Sequence, residues 1–141
     1  MSIDERFAKI VFEKTYQDTL SLLLRSEAFL KIYSQRPLEE KSPNFDLRIN
    51  CEMTRVTARV SQVMTWLLAQ KAAYAGEITF EEANAPRYRL DEDPFCMTDS
   101  LQGQEEFLPL PVKDLLTDSF DLYRRVLNLA HPSYHQEEYK N

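Results

Sequence analysis

Apolar residues recur at three- and four-residue steps from the beginning of the chain, through Phe7, Ile10, Val11, Phe12, Tyr16, Leu20, Leu23, Leu24, Leu30 and Tyr33. That is the period of an α-helix, spread over more than one stripe, so the first predicted helix should touch two neighbours. Ser2 and Glu5 stand at capping-box spacing ahead of it, and neither glycine nor proline interrupts the chain before Pro37. QRPLEEKSP, residues 35–43, is polar and broken by two prolines, which predicts a loop. Ser42 and Pro43 suit the N-cap and first position of a second helix over about 44–75, ended by Gly76. One stripe of that helix carries Met53, Val56, Val60, Met64 and Leu67, widened by Val63 and Trp66. The other carries Arg48, Glu52, Arg55, Arg59, Gln62 and Trp66 at helical spacing.

Thr79 and Glu82 repeat the capping-box pattern, with Ile78 placed as a hydrophobic staple, and predict a short helix over about 79–85 stopped by Pro86. Residues 87–107, broken by Pro94 and Gly103, read as a long acidic loop of the kind that tends to be functional or disordered. The helical pattern returns with Pro111 near a helix start and Val112, Leu115, Leu116, Leu122, Tyr123, Val126 and Leu129 on one face. Asp114, Asp118, Asp121 and Arg125 share another face. The tail, 131–141, is polar and is expected to fray.

Composition sharpens the picture. Two glycines in 141 residues leave little for tight turns and sheet edges, which favours an all-α fold. The expectation is one domain, an antiparallel bundle of three main helices plus one short helix. The first two helices carry more apolar surface than three helices cover, so a homodimer is expected. Trp66, Leu67, Val60, Met64, Leu23 and Tyr123 are the expected core or dimer contacts. No apolar run approaches the length that crosses a bilayer. The N-terminal stretch MSIDERFAKI has no apolar secretory region, and Cys51 and Cys96 read as reduced thiols, so the expected location is cytoplasmic. The net charge of −6 is concentrated between Glu77 and Glu106, where nine residues are acidic and two basic. Such a balance repels phosphates and argues against nucleic acid as a partner.

Chemistry-bearing motifs are sparse. Two glycines cannot build a phosphate loop, and no histidine stands at a recommending distance from either cysteine. His131 and His135 are four apart, but Pro132 intervenes, so no metal site is expected. The expectation is a protein without cofactor that is not an enzyme. The arginine stripe has two readings. It is either a solvated face whose arginines pair with Glu52 or with Asp114, Asp118 or Asp121, or a partner-binding surface built on Arg55, Arg59 and Gln62.

The stretch Arg55-Val-Thr57-Ala-Arg59-Val-Ser-Gln62-Val-Met-Thr-Trp66-Leu67-Leu68-Ala-Gln70, followed by Gly76-Glu77-Ile-Thr79 and Glu82-Ala83, resembles the signature region of the RcdA family. These are bacterial proteins that regulate degradation of the cell-cycle regulator CtrA. Leu108-Pro109-Leu-Pro-Val-Lys-Asp-Leu115-Leu116 and Ser119-Phe-Asp-Leu122-Tyr123-Arg-Arg125-Val126 resemble the family's closing helix. The chain departs from the pattern at Pro86 and in its short tail. The resemblance implies a helical-bundle dimer acting as a proteolytic adaptor. With the ClpXP protease and a CpdR-type response regulator, it would deliver cargo, including transcriptional regulators, for degradation. From the residues alone, a helical dimeric regulator that binds DNA-associated proteins or a toxin stands as the alternative, and an enzyme built from scattered carboxylates as a third.

Overall fold

A stretch free of glycine and proline, Ile3–Ser34, forms helix α1 in the computed structural model, which describes residues 3–37, 42–99 and 107–131. The side chain of Ser2, expected to cap this helix, lies outside the described residues. Helix α2, Pro43–Tyr74, starts with proline in its first turn and Ser42 in extended conformation ahead of it, although the serine hydroxyl makes no capping bond. At the other end Gly76 takes φ 77°, and two crossed bonds close the helix: Gly76 N–H to Ala73 O at 3.1 Å and Glu77 N–H to Ala72 O at 2.9 Å. This is the Schellman arrangement, for which a left-handed residue is required. The short helix α3, Phe80–Ala83, is capped by Thr79, whose hydroxyl accepts from Glu82 N–H at 3.0 Å.

The acidic segment is not a plain loop. It contains a second short helix, α4, Pro94–Met97, and the expectation of one short helix becomes two. Asp93 caps it by accepting from Phe95 N–H at 2.8 Å and Cys96 N–H at 3.4 Å, while Pro94 supplies a preset first turn. Helix α5, Leu110–Ala130, completes the fold. Among the described residues every regular element is helical. Among the described residues no helix is long and apolar enough to cross a membrane.

Contacts fix the directions. Phe12, early in α1, meets Trp66 and Tyr74, late in α2, while Tyr33 at the end of α1 meets Asp46 at the start of α2. Asp18 pairs with Arg125 and Arg25 with Asp118, both at 2.9 Å. So α1 runs antiparallel to both partners. Arg59 reaches Leu116 and Gln62 reaches Tyr123, so α2 and α5 run the same way. Parallel neighbours need a return path, and the described residues 75–99 pass back along α2. Asn84 lies at Gln70, Asp93 at Gln62 and Phe95 at Arg55 along that path.

The seam between α2 and α5 is the apolar core, with Val56, Val63, Leu67, Val112, Tyr123 and Val126 inaccessible to solvent. The face that α1 presents to it is different in kind. Thr15, Thr19 and Ser26 are buried, and each hydroxyl donates to the carbonyl four residues earlier, at 2.7, 2.7 and 2.8 Å. These small side chains satisfy themselves within the helix and let it pack closely. Many of the large apolar residues of α1 point outward instead: Phe7 is 66% exposed, Ile10 68%, Leu24 56% and Ile32 71%.

Candidate functional site

The middle of the second stripe of α2 does not face solvent. Arg55, Arg59 and Gln62 lie under the returning acidic segment. Arg59 is 1% exposed and uses all three nitrogens of its guanidinium. Nε donates to Cys96 O at 2.8 Å, Nη2 to Thr98 O at 2.9 Å, and Nη1 to both Leu116 O and Ser119 Oγ at 3.0 Å. Burial, and then the neighbouring charge of Arg55, push this guanidinium down to about 10, which leaves it charged at neutral pH. One turn away, Arg55 donates from Nη1 to Phe95 O and lies over the Phe95 ring at 4.2 Å. Its Nε stands 3.4 Å from the buried carboxylate of Glu52, which also meets Arg48 at 3.2 Å.

The expectation of a surface formed by Arg55, Arg59 and Gln62 is therefore corrected. The structure does bring the three together, but under the segment 90–99 rather than facing solvent. The rival expectation, ion pairs from Arg55 and Arg59 to Asp114, Asp118 or Asp121, is corrected too. Their acceptors are mainly backbone carbonyls, and Asp118 pairs with Arg25 of α1. A planar fork that is always charged suits this task, since one side chain can gather carbonyls from three directions. Gln62 is half-buried, donating from Nε2 to Asp93 Oδ2 at 3.3 Å and contacting Cys96 Sγ at 3.4 Å. The hydroxyl of Tyr123 completes the cluster. It donates to Asp91 O at 2.7 Å, accepts from Asp93 N–H at 3.2 Å, and lies 3.3 Å from Gln62 Oε1. Burial raises the Cys96 thiol above its ordinary range.

Trp66, Leu67, Val60 and Tyr123 are in the core, and Met64 is half-buried. Trp66 meets Phe12 edge-to-face at 5.8 Å, which places the indole between α1 and α2. Leu23 is 43% exposed and belongs to the surface of this chain, not its core. Sequence reasoning placed Glu52 beside the arginines, as found, but missed Asp93, Cys96 and Ser119 as members of the cluster. The dipeptide Asp93-Pro94 was the available signal, because a capping residue followed by proline marks a helix start even inside an acidic segment.

Two surface features lie apart from this cluster. A cleft of about 470 Å³ opens where the start of α1 meets the end of α2, with Phe12, Tyr74 and Phe80 as its apolar lining and Lys9, Lys71 and Glu13 at its rim. A smaller one, about 310 Å³, follows the Asp18, Arg25, Asp118 and Arg125 pairs between α1 and α5. Among the described residues no group of three His, Cys, Asp or Glu side chains could hold a metal ion; His135 lies outside them.

No curated protein and no solved structure is matched by the chain. A family model does match, over residues 3–141, with the description "Protein of unknown function (DUF1465)". With the match running through all five helices, the chain belongs to the DUF1465 family.

Proposed function

We propose that this protein is a non-enzymatic adaptor of the RcdA type. It acts in the cytoplasm as a homodimer and, together with a CpdR-like response regulator, delivers cargo proteins to ClpXP. The observation that carries the reading is the family match, because the RcdA family is known as DUF1465 and the match runs over residues 3–141. The signatures on α2 and α5 lie within that match. A molecule of this build has the surface for binding work. Large apolar side chains stand exposed along α1, and Leu47 and Leu68 stand 71% and 51% exposed on α2. The buried arginines have a supporting part in this reading, fixing the shape of the α2 and α5 surface rather than meeting a partner directly.

Reconstituted proteolysis tests the reading. Candidate cargo, including transcriptional regulators, is incubated with ClpXP and a CpdR-like regulator, with and without the protein. Cargo should disappear faster only when all components are present. Degradation indifferent to the protein across such a panel, with retention of DNA-associated proteins or a toxin in affinity capture, would replace the adaptor with the helical regulator.

A further inference from the structure

The segment 90–99 is attached to the bundle in a way that the long helices are not. The helices share a large apolar cluster, built mainly from α2 and α5 with Leu22 of α1. The segment contributes two fully buried side chains, Leu90 and Cys96, and a half-buried Met97, while Asp91, Glu92, Phe95, Thr98 and Asp99 face outward. Its other attachments are polar. Arg55 and Arg59 hold its carbonyls at Phe95, Cys96 and Thr98, Tyr123 holds Asp91 O and Asp93 N–H, and His131 Nε2 meets Leu90 O at 2.5 Å. Four carboxylates, Asp91, Glu92, Asp93 and Asp99, are crowded into this stretch.

Parting along this boundary leaves few groups stranded. The freed carbonyls of the segment turn to water. Arg55 and Arg59 gain hydration as they are uncovered. Leu116 O keeps the hydroxyl of Ser119 at 3.2 Å, and Tyr123 keeps Gln62 within reach. Of the segment's apolar side chains, Leu90 and Cys96 lose full burial and Met97 partial burial. Elements held by few apolar contacts and by bonds that water can replace open at free energies below that of global unfolding.

We propose that 90–99 is a strap that opens as a unit while α1, α2 and α5 stay packed, with Arg59 as its latch. Arg59 has that role because it binds the strap at Cys96 and Thr98 and α5 at Leu116 and Ser119 at once. Opening uncovers Arg55, Arg59 and Gln62 along one stripe of α2, a donor set that the closed molecule hides. The inference concerns this chain alone and does not rest on the adaptor reading.

The two cysteines report on it directly, since Cys51 is exposed and Cys96 buried, and both are free. The native chain is treated with a thiol reagent at increasing urea concentrations, all below its unfolding transition, and each cysteine is followed separately. Cys51 should label at once. Cys96 should lag by about a hundredfold or more, at a rate nearly independent of urea, as local opening requires. If the Cys96 rate instead climbs with urea along the slope of global unfolding from the lowest concentrations, the strap does not open alone. Arg59→Lys keeps the charge but not the fork, and should raise the Cys96 rate about tenfold or more while helical content and Cys51 labelling stay unchanged. A rate equal to that of the wild type removes Arg59 as the latch. Should that variant fail to fold, the wild-type urea dependence still decides whether the strap opens.

Discussion

Tyr123 is 0% exposed, and its hydroxyl sits against Asp91 O, Asp93 N–H and Gln62 Oε1. Removing its proton would put a phenolate against a carbonyl away from water. Burial accordingly raises the group to about 12, with the Asp93 N–H working the other way. Tyr33 is raised to about 12 as well, by burial and then by its bond to Asp46. Because both folded values lie above the unfolded value near 10, their contribution to stability is complete below pH 10 and is lost as pH rises towards 12. Arg59 has the opposite sign. Its folded value of about 10 lies below 12.5, so the cost of its buried charge is present below pH 10 and recedes above it. The two effects overlap in one window, and a bulk melting curve would blend them. Tyr123→Phe isolates one. Ultraviolet titration of phenolate should lose one late step near pH 12, and stability at neutral pH should fall by about 1–2 kcal/mol from the missing hydroxyl bonds. An unchanged late titration would mean that the Tyr123 hydroxyl is not held as described.

At the scale of elements, the end of α2 offers the cleanest test of local sequence logic. Gly76 has φ 77°, and a Cβ built there meets nothing within 4 Å. Gly76→Ala is therefore penalised by backbone conformation alone, on the order of 1 kcal/mol, and should lower the urea midpoint without changing the slope. A midpoint equal to that of the wild type would show that the crossed bonds at Ala72 and Ala73 tolerate another cap. This glycine, the Thr79 cap, Pro43 and the apolar stripe from Met53 to Leu67 were all legible in the sequence, because each acts through its own backbone or a fixed period. Two faces were not. The packing side of α1 mixes Leu22, Phe12, Tyr16, Phe29 and Tyr33 with Thr15, Thr19 and Ser26, whose hydroxyls bond within the helix, so hydropathy marks only part of that side. The stripe of Glu52, Arg55, Arg59 and Gln62 looked like solvent because charge normally faces water. What buries it is a segment some forty residues away along the chain, held by backbone carbonyls that carry no residue signature. The same tertiary origin explains why Cys96, within the short apolar run Phe95-Cys96-Met97 of an acidic segment, proved to be fully buried.

Taken as a whole, the molecule leaves α1 unevenly covered. One side packs on α2 and α5, and another carries Phe7, Ile10, Leu24 and Ile32 in solvent, with exposures from 56% to 71%. Exposed apolar side chains gathered on one side of a helix, here near its two ends, mark an interface more often than a free surface. In the proposed homodimer these residues meet their copies across a two-fold axis, where one apolar face serves both partners. Ile10→Glu together with Ile32→Glu probes this with little risk to the fold, because both side chains are already exposed and surface changes typically shift stability by about 0.5 kcal/mol or less. The wild-type chain should sediment as a dimer at tens of micromolar, a range in which even a weak specific dimer forms. The double variant should sediment as a monomer with nearly unchanged melting. Added salt separates the apolar contact from an electrostatic one. Dimerisation through Ile10 and Ile32 should persist at high ionic strength, whereas association through the Asp18, Arg25, Asp118 and Arg125 surface should weaken as those charges are screened. A wild-type monomer at that concentration would withdraw the dimer and leave the exposed side of α1 to a different partner.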